Sequence, residues 1–239
     1  MNRKLALVFG GTRGIGEATV MKLAEQGFDV AFTYIKSEPK TVQQEAATLH
    51  SYKVDVCEFD QVKSVFAQVA KDFGHPIDCV VANAGINVPP GPVSQFDAET
   101  FKKIVNVNLL GAFHVLTEAA KHTADHGTII GLTTSMVRIG IPGGGPYTAT
   151  KAAVESLLRS MSKELAPRGI RVNGVAPGPV DTDLFHSGKT DEIKARSATL
   201  SPFNRIGRPD EIAEVIAFLA SDKASWIHGQ IIQPNGGMV

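Results

Sequence analysis

Two side chains four residues apart, Tyr147 and Lys151, carry the strongest chemical suggestion in this chain. They stand in Pro146-Tyr147-Thr148-Ala149-Thr150-Lys151, at the start of a helical pattern predicted over 146–166. On a helix the pair shares one face, about 6 Å apart along the axis. A free phenol titrates near pH 10 and is a poor proton donor or acceptor at neutrality. A fixed ammonium alongside favours the phenolate and lowers that value, which would make Tyr147 a usable general acid or base. Tyr-x3-Lys alone is common, so other elements must give the pair its meaning.

The first such element is Phe9-Gly10-Gly11-Thr12-Arg13-Gly14-Ile15-Gly16. It joins an apolar run, Leu5 to Phe9, to a helical pattern over 14–26. Glycines let a backbone turn sharply and approach a pyrophosphate, and the following helix offers free N–H groups and a positive dipole end. The spacing, Gly-x3-Gly-x-Gly, is neither the Gly-x-Gly-x2-Gly fingerprint nor a Walker A loop.

Further along, apolar runs predict strands at 30–35, up to 54, 77–82, 128–133, 170–176 and 230–233. Helical patterns fall at 39–50, 59–73, 97–122 (with a possible break near Gly111) and 209–220. Residues 85–93 hold three prolines and two glycines and read as a loop. Residues 181–206 are polar and weakly patterned. Strands alternating with helices imply one α/β domain over 1–239, a parallel sheet covered on both faces.

Composition narrows the class. The chain has 239 residues, 43% of them apolar, enough for a large core. Lys plus Arg and Asp plus Glu are both 24, which gives no nucleic-acid footprint and no basic membrane-binding face. No apolar run reaches membrane-spanning length, and the first strand begins at Leu5, leaving no room for a leader. Cys57 and Cys79 lie far apart in apolar contexts and read as reduced, buried thiols of a cytoplasmic protein. Asp72-Phe73-Gly74 ends a helix without any other kinase element, and His122 and His126 read as solvated rather than metal-binding. Trp226 reads as a packing residue.

The glycine loop and the Tyr147/Lys151 pair, in this order, resemble the short-chain dehydrogenase/reductase family, and the resemblance runs from Leu5 to Gly237. Asp55-Val56 resembles its adenine-contacting element, and Ala82-Asn83-Ala84-Gly85 its Asn-Asn-Ala-Gly motif. Asn106-Val107-Asn108 resembles the helix motif whose second Asn takes part in catalysis. Pro177-Gly178 resembles the nicotinamide-side motif. Gly207-Arg208-Pro209 and Gly236-Gly237 match its C-terminal landmarks. Phe9 and Ala82 depart from the usual Thr and Asn, so an apolar contact would replace hydrogen bonds between the two strands. Pro234-Asn235 replaces the usual Val-Asp.

The resemblance implies a Rossmann fold with a doubly wound sheet of about seven strands. It also implies a dinucleotide contacted by Gly10, Thr12, Arg13, Gly14, Ile15, Gly16, Asp55, Val56, Asn83, Ala84, Gly85, Tyr147, Lys151, Pro177, Gly178, Val180 and Thr182. Tyr147 would protonate a carbonyl oxygen as hydride arrives, Lys151 would bind the nicotinamide ribose, and Asn108 would hold a water behind Lys151. Ser135 would orient the carbonyl, although the commoner spacing of thirteen from Tyr147 lands on Thr134.

NAD-preferring members place an acidic residue at the end of the second strand. Tyr34 stands there, with Lys36, Ser37 and Arg13 nearby, which favours the 2′-phosphate of NADP(H). The expected reaction is reduction of a ketone, 3-oxoacyl or other. The alternatives are an NADP-dependent alcohol dehydrogenase in the oxidative direction, or a non-catalytic NADP(H)-binding regulator. The 3-oxoacyl-carrier-protein reductases are similar in general appearance. Of the basic positions that dock their acidic carrier, only Arg168 corresponds, the other being Thr128. Residues 181–206 would cover the substrate. Leu184, Phe185, Leu200 and Phe203 suggest a partly hydrophobic one, and no cationic cluster there calls for a carboxylate or phosphate. Small and apolar residues on more than one face of the helices at 97–122 and 146–166 suggest a homo-oligomer, a dimer or tetramer.

Overall fold

Leu5–Phe9 alternates its side chains between two cores, and that alternation defines the layers. Leu5, Leu7 and Phe9 enter one core, Ala6 and Val8 the other, and all five are fully buried. A strand buried on both faces reads as a continuous apolar run, which is why no polar alternation marks it.

The computed structural model describes residues 3–36, 47–187 and 189–239. Its strands are β1 (Leu5–Phe9), β2 (Asp29–Tyr34), β3 (Leu49–Lys53), β4 (Ile77–Ala82), β5 (Thr123–Leu132), β6 (Arg171–Val175) and β7 (Ile231–Ile232). They form one parallel sheet in the order β3-β2-β1-β4-β5-β6-β7. One face is covered by α2 (Phe59–Phe73), α4 (Ala112–His122) and α6 (Gly145–Leu165). The other carries α1 (Gly14–Glu25) and α9 (Pro209–Ala220). This is the expected doubly wound Rossmann architecture in a single domain. The order reverses between β2-β1 and β4-β5, and such a switch point opens a crevice at the carboxyl ends of the strands.

Differences from the sequence expectations are local. The helix expected over 39–50 falls mostly on residues 37–46, outside the described ones, as does Ser37. Its last two residues, Leu49 and His50, belong to β3 instead. The helix expected over 97–122 is not broken. It runs as α3 (Ala98–Val105), a wider π-helical stretch over Asn106–Gly111, and then α4. A Cβ on Gly111 would stand 2.7 Å from Val56, so the glycine there permits close packing rather than a break. Three short helices were not anticipated: α5 (Met136–Ile139), α7 (Asp183–His186) and α8 (Asp191–Ala198).

The Phe9/Ala82 departure resolves as packing. The two residues are register partners across β1 and β4. Phe9 packs against Phe66 with the rings tilted by 32° and their centroids 5.7 Å apart. Burying such a ring is worth about 2–3 kcal/mol, more than the roughly 1 kcal/mol net of the hydrogen bond it replaces. Trp226 is the reverse case. It is 98% exposed among the described residues, because the turn before it buries Ala224 and points the indole outward.

Candidate active site

The crevice holds a cavity of 670 Å³ at the carboxyl ends of the strands. Tyr147, Lys151, Thr134, Gly85, Pro177 and Thr182 all line it, so segments spread over a hundred residues meet there.

The glycine loop makes one end of this crevice. The Gly10 and Gly11 N–H groups donate to Thr33 Oγ1 (3.0 Å) and the Thr33 carbonyl (2.9 Å), docking the loop on β2. Gly10 and Gly14 have φ of +77° and +54°, a conformation that side chains disfavour. A Cβ at Gly16 would overlap the Gly10 carbonyl. No side chain caps α1, whose first residue is Gly14. An uncapped helix N-terminus behind a loop that excludes Cβ atoms fits a pyrophosphate. Thr182 lies against it, since a Cβ on Gly14 would stand 3.0 Å from the Thr182 methyl. Asn83 closes the underside, donating from Nδ2 to the carbonyls of Phe9 (3.2 Å) and Gly10 (2.9 Å). Arg13 and Lys36 are exposed, and neither has an ion-pair partner among the described residues. Asp55 and Val56 follow β3. The Asp55 carboxylate accepts from the Cys57 N–H (2.9 Å), and Val56 is buried.

Around Lys151 the site is tightly bonded. Lys151 Nζ donates to the Leu132 carbonyl at 3.0 Å. Asn108 is fully buried in the π-helical stretch. Its Nδ2 donates to the Ile86 carbonyl (2.9 Å) and its Oδ1 accepts from the Ile86 N–H (2.8 Å). A Cβ on Gly85 would come 3.2 Å from Asn108 Oδ1 and 3.4 Å from Lys151 Nζ, so both polar groups converge on that glycine. A helix interior widened by one residue at a functional side chain is a recurrent device.

Two expectations need correction. Proximity to Lys151 was expected to lower the Tyr147 phenol. Burial dominates instead, pushing the phenol up to about 12 and the Lys151 amine down to about 8. Ser135 was favoured as the carbonyl-orienting hydroxyl. Its side chain is fully buried, donating to the Ala176 carbonyl (2.6 Å) and accepting from Asn235 Nδ2 (3.0 Å). Thr134 lines the cavity; Ser135 does not. After β5 ends at Leu132, Thr133 and Thr134 both line the crevice, whereas the bonds of Ser135 to Ala176 and Asn235 hold its hydroxyl away from it.

A family model described as Enoyl-(Acyl carrier protein) reductase matches residues 10–239. The structure of a short-chain dehydrogenase/reductase from Serratia marcescens superposes with a TM-score of 0.91 at 32% identity, over 98% of this chain and 97% of that one. The chain belongs to the short-chain dehydrogenase/reductase family.

Two curated relatives are similar over nearly the whole length. One is an Arabidopsis thaliana protein described as an NADPH-dependent aldehyde reductase-like protein, chloroplastic, 37% identical over 99% of this chain and 94% of its own. The other is a 3-oxoacyl-[acyl-carrier-protein] reductase of Staphylococcus aureus, 37% identical over 98% of both chains. As a short-chain dehydrogenase/reductase the protein is an oxidoreductase of the CH–OH/C=O couple that binds a nicotinamide nucleotide. None of its described helices is long and apolar enough to cross a membrane.

Several residues of this short-chain dehydrogenase/reductase were invisible to motif reading. Met238, Met136, Ile139, Lys189 and Arg196 line the cavity. Glu155, one turn beyond Lys151, is buried and receives both Arg138 and Arg159. The Ile193 and Ser197 spacing could have indicated one face of α8 turned to the cavity. Nothing in the sequence marks Glu155.

The buried amine makes a prediction about stability. The folded value of Lys151, about 8, lies below the 10.5 of an ordinary lysine. Between these values the unfolded chain holds more protons, so this residue's contribution to stability rises with pH. Below pH 8 the penalty is complete, of about 3 kcal/mol. Lys151→Met should therefore be more stable than wild type at pH 7, with the gap closing towards pH 10. Urea unfolding of both proteins across that range, without nucleotide, checks this. A gap that is absent or widens with pH would contradict it.

Proposed function

We propose that the protein reduces a ketone or other carbonyl compound with NADPH, Tyr147 delivering the proton. The observation that carries this is a phenol kept neutral by burial, on the wall of the cavity that Lys151 and Thr134 also line. A neutral phenol is the form a reduction needs as its donor.

Bound NADPH supplies a hydride to the carbonyl carbon. Gly10, Gly14 and Gly16 give its pyrophosphate room at the α1 N-terminus, and Arg13, Tyr34 and Lys36 receive the 2′-phosphate. Thr134 donates to the substrate oxygen and orients it. Tyr147 transfers its proton to that oxygen as the alkoxide charge develops. Lys151, mostly protonated at pH 7, stabilises the resulting phenolate. Asn108 holds the protein end of a water relay that reprotonates the pair. Absorbance of the nicotinamide, with a panel of ketones and aldehydes, tests this. NADPH should give a kcat/KM roughly tenfold or more above NADH. Equal use of NADH would sink the 2′-phosphate assignment, and tight NADPH binding with no turnover of any carbonyl would favour a regulator.

The Thr134 assignment makes its own prediction. Thr134→Val should lower kcat roughly 10²-fold, the cost of removing one oriented donor at a developing oxyanion. Ser135→Ala should act mainly on stability, because it leaves buried Asn235 without a partner for Nδ2. The reverse ranking in steady-state kinetics would restore Ser135.

Residues 181–206 are an excursion whose two ends are tied together. Val180 pairs with Gly207, and the Asp181 N–H donates to the Gly207 carbonyl at 2.9 Å. Such a pinned segment suits a substrate cover. Acyl-carrier docking gains no support from Arg168, which donates to Asp125 and to the carbonyls of Ala120 and Thr123. A free carbonyl compound is the better reading. Leu110 and Phe113 on one side and Trp226 on another leave apolar surface uncovered, which supports a homo-oligomer. Light scattering at micromolar concentration should give a dimer or tetramer, and a monomer alone would refute it.

A further inference from the structure

The segment between Asp181 and Glu211 is rich in charge, and all but two of its cations are paired with carboxylates of the same segment, while Asp183 and Glu192 face outward, exposed, with no ion-pair partner among the described residues. His186 meets Asp181, Lys194 meets Asp191, Arg205 meets Glu211, and Arg208 meets Asp210. Two cations are exceptions. Lys189 and Arg196 have no carboxylate partner among the described residues, and they are the two cations of this segment that line the cavity. The sequence pattern shows no cationic cluster in this segment calling for a carboxylate or phosphate; the fold brings these two cations to one cavity wall.

Lys189 is held in place. Its Nζ donates to the Phe185 carbonyl at 2.6 Å and lies 3.9 Å from the centroid of the Phe185 ring. Both interactions fix the ammonium without neutralising it, and its remaining N–H donors stay available. Arg196 projects from α8 on the face that also presents Ile193 and Ser197 to the cavity, and Leu200 joins them from the turn after the helix. No Asp or Glu side chain lines the cavity among the described residues. A cavity wall with a half-buried lysine, an exposed arginine and no carboxylate favours an anion.

We propose that Lys189 and Arg196 form an anion subsite that binds a carboxylate or phosphate group carried by the carbonyl substrate. This rests on the reductase reading above and narrows its substrate class to carbonyl compounds with an apolar body and an anionic group. The apolar body is accommodated by Phe185, Ile193 and Leu200, which share the wall with the two cations. The nucleotide pyrophosphate is assigned to the glycine loop at Gly10, Gly14 and Gly16. Lys189 and Arg196 follow Thr182 by seven and fourteen residues, on the part of the segment that carries these apolar side chains.

Calorimetry with 4-formylbenzoate, 4-formylphenyl phosphate and the neutral 4-formylbenzamide tests the subsite, with NADPH turnover of each measured in parallel. An anionic probe should bind wild type roughly tenfold or more tighter than the amide, and the tighter of the two identifies carboxylate or phosphate. K189Q/R196Q should remove that preference, and the charge-conserving K189R/R196K should retain it. Equal binding of anionic and neutral probes to wild type overturns the proposal, whether or not the variants fold. So does a preference that survives in folded K189Q/R196Q, or a loss of NADPH affinity in that variant with the preference intact. Anion preference without NADPH oxidation upholds the subsite and refutes the reductase reading. Turnover of the amide without anion preference does the opposite.

Discussion

Tyr147→Phe is expected to lower kcat/KM by roughly 10³-fold, within the range set by loss of a positioned proton donor. The substitution removes one oxygen and keeps the ring that lines the cavity. Lys151 remains bonded to the Leu132 carbonyl, 3.0 Å away, so its position does not depend on the phenol. Nucleotide affinity should therefore change little, and the loss should fall on kcat rather than KM. Stopped-flow NADPH oxidation and fluorescence titration of the nucleotide separate the two. A variant that turns over at more than about a tenth of the wild-type rate would mean that another acid donates the proton. Water cannot take over efficiently here. Burial keeps the phenol near 12, and a solvent molecule lacks the fixed orientation that makes a weak acid effective.

Arg138→Ala should be among the most damaging substitutions for stability outside the apolar core. Glu155 is 1% exposed and sits on the helix that carries Tyr147 and Lys151. Arg138 Nη1 reaches both of its oxygens, at 2.9 and 2.7 Å, and Arg159 Nη2 adds a third contact at 3.0 Å. Thr133 Oγ1 donates to the same carboxylate at 3.2 Å. Breaking a buried pair leaves a charge without compensation and costs about 3–5 kcal/mol. Arg159 remains, so the lower end applies, a fall in Tm of about 6–12 °C for a domain of this size. Glu155→Met should cost less, because it removes the buried charge, and both arginines can then turn to water. Thermal unfolding of the two variants decides the order. If Glu155→Met is the more damaging, the carboxylate contributes more than its own desolvation takes away.

The same cluster shows how structure reaches the chemistry. Thr133 precedes Thr134, and Arg138 belongs to the short helix α5, whose Met136 and Ile139 line the cavity. One carboxylate thus ties the turn after β5 to the helix that carries the proton donor.

The amino-acid sequence by itself determined the sheet, its helices and the ends of strands at which chemistry could gather. Buried parallel strands require apolar runs, and α2 has a clean amphipathic period, so local composition encodes both. The glycine loop was equally legible, since Gly10, Gly14 and Gly16 answer to steric demands that no other residue meets. Where two adjacent side chains diverge, pattern reading had no purchase. Ser135 and Thr134 differ by a single position, and tertiary bonds of Ser135 to Ala176 and Asn235 keep it off the cavity wall that Thr134 lines. The environment of the Tyr147 phenol was misjudged because spacing reports a neighbouring cation but not the dry surroundings that outweigh it. Trp226 was misplaced because its sequence neighbours do not reveal which way a turn points. Lys189 and Arg196 looked like ordinary solvated charge. Only tertiary pairing, which matches the other cations of their segment with carboxylates and leaves these two on the cavity wall, sets them apart.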